Sequence, residues 1–249
     1  MANLTDDRER IFRTMTDTVD GVPLPPAWEE QDPLLPYPGY FADNPNEWLL
    51  GRHRRDKAIT GERGAAIRAV FLGDSITEGW DKTLWNTHFA PHGAVNFGIG
   101  GDKTCQVLWR INDGLLAGLT PDVVVLAIGC NHLWSMRYAG EHIGRGVLKC
   151  VDAVRAACPG AKVLVSAVLP CKESPEHEYR PVIREINAAV APVADNKTVF
   201  FVDAGSSLTE PDGTLTLETA PDGVHLSWLG YRRWAKVLVP AFNALLPNP

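Results

Sequence analysis

From residue 66 onward, apolar positions follow two alternating rhythms. Short unbroken runs rich in β-branched residues occur at 69–72, 94–97, 123–128, 163–169 and 199–202. Such runs suit strands buried on both faces. Between them lie segments with an apolar residue every three or four positions. One is Val107, Leu108, Ile111, Leu115 and Leu119; a second is Ile143, Val147, Val151 and Val154. A third is Val182, Ile186, Ala189, Val190 and Val193, and a last spans 228–246. These spacings predict helices. Five strands alternating with helices predict an α/β fold, a three-layer α/β/α arrangement around a five-stranded parallel sheet. In such a sheet, ligands sit outside the carboxyl ends of the strands.

Residues 1–65 break this rhythm. Residues 21–45 hold seven of the 19 prolines, which block helix and ladder alike. A short N-terminal helix followed by an extended, irregular arm is expected. Trp28, Tyr37, Tyr40, Phe41 and Trp48 are dense enough that the arm should pack on a surface, its own body or a partner. The arm is therefore a candidate contact for a homo-oligomer or a cover for the rim of a site. The whole chain is 249 residues, with 24 Lys and Arg against 30 Asp and Glu and a net charge of −6. Without a basic block, nucleic acid and anionic membranes are poor partners. The five cysteines are odd in number and form no CxxC pair, which argues for free thiols rather than a disulfide framework or a zinc ribbon. No apolar run is long enough for membrane insertion. The opening MANLTDDRER has no apolar signal core. A cytoplasmic protein is expected as written, and a secreted one if a leader has been removed.

Four chemistry-bearing segments follow the strands. The first is Gly73-Asp74-Ser75-Ile76, at a strand-to-helix turn. There a serine hydroxyl either caps a helix or acts as a nucleophile beside backbone N–H groups that favour negative charge. The surroundings are not the Gly-x-Ser-x-Gly elbow. The second segment is Asn96-Phe97-Gly98-Ile99-Gly100-Gly101-Asp102-Lys103-Thr104. It fits neither a dinucleotide fingerprint nor a P-loop, because Lys103 and Asp102 stand where each motif needs glycine. A loop offering an N–H to an oxyanion and a plain tight turn both remain open. The third is Gly129-Cys130-Asn131-His132, whose Asn131 side chain either donates into the same space or serves a turn. The fourth is Asp222-Gly223-Val224-His225-Leu226-Ser227. An Asp three residues before a His can fix the imidazole's tautomer for a serine, or the segment can be a surface loop before a helix capped by Ser227.

Taken together and in this order, the four segments resemble the SGNH (GDSL-type) hydrolase family over roughly residues 67–246. The block NFGIGGDKTCQVLWRI resembles in particular the branch containing platelet-activating-factor acetylhydrolase catalytic subunits and bacterial acetylesterases. The resemblance implies a flavodoxin-like hydrolase domain at 66–249. It implies Ser75 as nucleophile with Asp222 and His225, and an oxyanion hole made by Ser75, Gly101 and Asn131. It implies a serine esterase acting on acetyl esters through an acyl-enzyme. Where the family often has Asp or Asn after the third-block Asn, this chain has His132.

The histidines show no HExxH spacing, and neither a metal nor a cofactor is expected. The expected partner is a small-molecule or oligosaccharide ester. Trp80, Trp134 and Trp228 adjoin the blocks and invite sugar stacking, although core packing explains them equally well. Asp74, Trp80, His132 and Trp134 are candidate substrate contacts. The alternatives are a short-chain lipid or metabolite ester, acyl transfer by the same triad, and a non-catalytic assembly module.

Overall fold

The computed structural model describes residues 18–19, 22–23, 27, 30–38 and 47–247. The expected helix at the extreme N-terminus and the aromatic residues Trp28, Tyr40 and Phe41 lie outside these residues, as does the side chain of Trp48. A two-residue antiparallel pair, Thr18–Val19 with Val22–Pro23, comes first. It is followed by α1 (Glu47–Arg63), β1 (Ala69–Gly73), α2 (Ser75–Glu78), α3 (Lys82–His88), β2 (Ala94–Gly98) and α4 (Thr104–Asn112). Then come β3 (Val123–Ala127), a 3-10 helix at Cys130–Ser135, α5 (Gly140–Ala157), β4 (Lys162–Ser166), α6 (Tyr179–Val190), β5 (Val199–Val202), α7 (Gly205–Leu208) and α8 (Trp228–Asn243).

The five long strands form one parallel sheet in the order β2-β1-β3-β4-β5. Its register places Val70 between Val95 and Val124, and Leu72 between Phe97 and Leu126. Every residue of β1 is buried, as a strand covered on both faces requires. Helix α5 packs against both α4 and α6, and α8 packs with α3 and α7. On the α8 side, Phe71 meets Trp85, Phe89 and Phe242, and Trp80 stacks on Trp234 at 4.7 Å. The expected five-stranded α/β architecture is the one observed.

Two elements end earlier than their apolar spacing predicts. The helix carrying Val107 stops at Asn112, because Gly114 and Gly118 take φ of +87° and +76°. β4 stops at Ser166. Beyond it, the Asn187 side chain accepts from the Val168 N–H at 2.8 Å and donates to its carbonyl at 3.0 Å, taking over from the ladder.

A larger difference lies before the sheet. Where proline content predicts an irregular arm to residue 65, α1 occupies Glu47–Arg63. Its buried stripe is Leu49, His53, Asp56 and Thr60, at helical spacing but mostly polar, so hydrophobic periodicity does not reveal it. Each polar member has a partner. Thr60 donates to the Leu115 carbonyl at 2.8 Å, and His53 Nε2 meets Asp113 Oδ2 at 2.8 Å. Farther upstream, Pro33 O accepts from Thr104 Oγ1 at 2.8 Å and Tyr37 N–H donates to Cys105 O at 3.2 Å. No helix among the described residues is long and apolar enough to cross a membrane.

The strand order reverses between β1 and β3. A doubly wound sheet opens its ligand crevice at this point. The segments leaving β1 and β3 carry Ser75 and Asn131.

Candidate active site

β1 ends at Gly73 and the chain turns directly into α2. A Cβ on Gly73 would lie 2.1 Å from Thr77 Oγ1 and 2.3 Å from the Ala127 carbonyl, so only glycine permits this turn. Asp74 caps α2, its Oδ1 accepting from Ile76 N–H at 3.0 Å. The Tyr231 hydroxyl of α8 donates to Ile76 O at 2.8 Å and anchors the short helix from outside. Ser75 is thereby fixed at the carboxyl edge of the sheet.

The fourth segment meets it there. His225 Nε2 lies 2.9 Å from Ser75 Oγ, and His225 Nδ1 lies 2.6 Å from Asp222 Oδ2. The other carboxylate oxygen accepts from the backbone N–H groups of Val224 at 2.9 Å and His225 at 2.7 Å. Burial raises the Asp222 carboxyl, but the hydrogen bonds from the His225 ring and from these N–H groups outweigh it and hold the pKa at about 2. A carboxylate that stays ionised keeps the imidazole proton on Nδ1 and leaves Nε2 to accept from the serine hydroxyl. Ser227 caps α8, its hydroxyl accepting from Gly230 N–H at 3.2 Å, and so ends the segment.

Across from this chain lies Asn131. Its Nδ2 donates to the Asp102 carbonyl at 2.9 Å, and its Oδ1 accepts from Trp134 Nε1 at 3.0 Å. A carbonyl only accepts and an indole only donates, so the amide has one orientation. Its second N–H remains for another acceptor. Gly101 takes φ of +83°, which a side chain would strain, in the turn that leads from β2 to Asp102.

Two charged networks hold this turn. Gly100 N–H donates to Glu78 Oε2 at 2.7 Å, and the other oxygen of Glu78 pairs with Arg52 of α1. Beneath them, Arg110 binds Asp102 Oδ2 at 2.7 Å, Asp56 Oδ2 at 3.0 Å and the Phe97 carbonyl at 2.8 Å. Burial pushes the Asp102 carboxyl up to about 7, against the pull of Arg110, and moves Asp56 in the same direction. These residues belong to no recognisable motif. One signal was legible, since Arg110 interrupts an otherwise apolar helical stripe between Val107 and Ile111. The Cys130 thiol donates to Asp74 Oδ2 at 3.1 Å and joins the serine turn to the Asn131 turn. Burial carries Asp74 to about 6 despite that bond.

Three of the four candidate substrate contacts are placed elsewhere. Asp74 is buried and committed to Ile76 and Cys130. Trp80 is packed between Trp234, Phe89 and Tyr231 in the core. His132 is fully buried, its Nε2 2.9 Å from Thr104 Oγ1, and it faces α4 rather than the serine. Only Trp134 stays at the site, half-buried and bonded to Asn131.

Burial pushes the His132 imidazole well below its ordinary value of 6.5, and the charges of Lys103 and His142 add to this. Below about pH 6.5 the unfolded chain takes up a proton that the folded chain refuses, so stability present above that pH is lost as pH falls. Relative to His132→Gln, the native chain should lose up to about 1.4 kcal/mol of unfolding free energy per pH unit below 6.5. Urea unfolding of both proteins at pH 7.5, 6 and 5 measures this. Parallel pH dependences would show that His132 titrates normally.

Comparison with known proteins places the fold in a family. The model of the GDSL-like lipase/acylhydrolase family matches residues 71–233, more than half of the chain. The chain is 32% identical over 205 residues to platelet-activating factor acetylhydrolase IB subunit alpha1 of Homo sapiens, covering 82% of this chain and 86% of the relative. It is 32% identical over 218 residues to the Drosophila melanogaster subunit beta homolog of that enzyme, covering 85% and 91%. Among solved structures, a GDSL-like lipase from Bacteroides thetaiotaomicron superposes with a TM-score of 0.63 at 24% identity, covering 78% of this chain and all of the other. An acetylxylan esterase from Geobacillus stearothermophilus superposes at 0.57 and 20% identity, covering 75% and 96%. The chain belongs to the GDSL-like lipase/acylhydrolase family and is a carboxylic ester hydrolase.

Proposed function

We propose that this hydrolase cleaves short-chain acyl esters, acetyl esters first, through an acyl-enzyme on Ser75. The observation that carries this is the continuous chain Ser75 Oγ, His225 Nε2, His225 Nδ1 and Asp222 Oδ2, with links of 2.9 and 2.6 Å. His225 takes the hydroxyl proton as Ser75 attacks the ester carbonyl, and Asp222 stabilises the imidazolium. The N–H groups of Ser75 and Gly101 and the free amide hydrogen of Asn131 meet the oxyanion. His225 then protonates the leaving alcohol. Water, deprotonated by the same imidazole, releases the acid.

A small acyl group is favoured because relatives sharing 32% identity bear the name acetylhydrolase. A carbohydrate is the preferred alcohol, supported by exposed Trp228 and half-buried Trp134 flanking the catalytic segments.

The test is hydrolysis of a panel of acetylated sugars and short acyl esters, with a serine-directed phosphonate located by mass spectrometry. Turnover is expected with the label on Ser75. Asn131→Ala should lower kcat by about 10²–10³ while leaving the labelled position unchanged. Neither turnover nor label would favour a non-catalytic module.

A further inference from the structure

The segment that follows β4 places a lysine beside both walls of the site. Lys172 has φ of +64°, a left-handed conformation uncommon for a residue with a Cβ. The conformation is held from two sides. Lys172 N–H donates to the Gly223 carbonyl at 2.6 Å, inside the Asp222–His225 segment. Buried Arg180 of α6 donates to the Cys171 and Lys172 carbonyls, each at 2.7 Å. The Lys172 side chain then crosses toward the oxyanion wall. Its Nζ sits 4.8 Å from the centre of the Trp134 ring, whose indole N–H fixes Asn131. No carboxylate among the described residues pairs with this ammonium. An ordered cation on an aromatic platform, without a carboxylate partner among the described residues and beside the Trp134 ring that bonds Asn131, is set up to receive an anion.

The direction of proton transfer says which part of the substrate it meets. His225 must protonate the departing oxygen, so the alcohol lies against the Asp222–His225 segment. Lys172 backs that segment through Gly223. Building on the esterase reading above, we propose that Lys172 is a specificity-determining residue, and that the alcohol portion of the preferred ester carries an anionic group, a carboxylate or phosphate, bound by its ammonium. The overall charge of −6 does not oppose this, because exposed charges beyond about 8–10 Å are screened at physiological salt.

The test compares two isosteric esters, 4-acetoxybenzoate and 4-acetoxybenzamide, which release the same acetyl group from an anionic and a neutral phenol. The readout is the ratio of their kcat/KM values. In Lys172→Gln that ratio should fall about fivefold, mainly through KM. Lys172→Gly, which suits the left-handed backbone, should show the same fall, and Lys172→Arg should keep the native ratio. Added salt should lower the ratio in the native enzyme and not in Lys172→Gly. A ratio unchanged in Gln and Gly variants that still hydrolyse both esters would overturn the role of Lys172 and leave the esterase reading standing. If the native enzyme hydrolyses neither ester and Ser75 takes no phosphonate, the esterase reading fails and this proposal with it.

Discussion

Ser75→Ala is expected to lower kcat for acetyl-ester hydrolysis by up to about 10⁶ without a measurable change in fold. The size follows from the loss of the acyl-enzyme route as a whole. Without Oγ, His225 has no hydroxyl to deprotonate, and Asp222 orients an imidazole with nothing to act on. What survives is oxyanion stabilisation and binding, worth about 10³–10⁴ over uncatalysed hydrolysis in such triads. The small cost to stability is equally specific. The capping bond of α2 comes from Asp74, and the outer anchor from Tyr231, so neither depends on the serine hydroxyl. Stopped-flow or endpoint release of a chromogenic phenol measures kcat, and thermal unfolding measures the fold. A variant retaining a tenth of native activity with an unchanged melting curve would remove Ser75 as nucleophile. Asp222→Asn belongs to the same experiment. It alters the tautomer that the carboxylate enforces, and about 10⁴ in kcat is the expected loss.

The segments that carry the candidate site were legible because each is local. Gly-Asp-Ser and Asp-x-x-His carry their own turn chemistry, and the strand pattern states which sheet edge they share. The sequence order of strands does not state that β1 lies between β2 and β3, yet the loop placement follows from any parallel sheet. The supporting shell was not legible, for a physical reason. Asp56, Arg110 and Asp102 come from three segments, and their pairing is a tertiary fact without a spacing rule. The stripe of α1 buries His53, Asp56 and Thr60 where a periodicity reading looks for leucine and valine. Trp80 and His132 misled in the opposite sense. Closeness in sequence to Ser75 and Asn131 proved a poor guide, because successive side chains on a turn or helix point to different sides. Trp80 points into the core and His132 toward Thr104.

That shell has a large effect of its own to predict. Arg110→Met should destabilise the protein by about 3–5 kcal/mol at pH 8, because it removes the guanidinium that both Asp102 and Asp56 face and leaves two buried carboxyls without their common counterion. The sign of the pH dependence identifies the cause. In the native fold Asp102 is already raised to about 7 from 3.8, so the folded chain keeps a proton that the unfolded chain releases, and stability falls as pH rises between those values. Losing Arg110 raises both carboxyls further and carries that fall to higher pH. The deficit of the variant should therefore shrink at pH 5, where both carboxyls can be neutral, and widen toward pH 8. Urea unfolding at the two pH values measures it. Adding Asp56→Asn and Asp102→Asn to Arg110→Met should restore most of the stability at pH 8, since neutral amides need no counterion. Activity supplies a separate reading. The Asp102 carbonyl is the acceptor that positions Asn131 Nδ2, so kcat should fall in Arg110→Met under conditions where the protein remains folded. A variant within 1 kcal/mol of native at pH 8, by the same unfolding measurement, would mean that water already reaches these carboxyls and that the ion network does not fix the oxyanion turn.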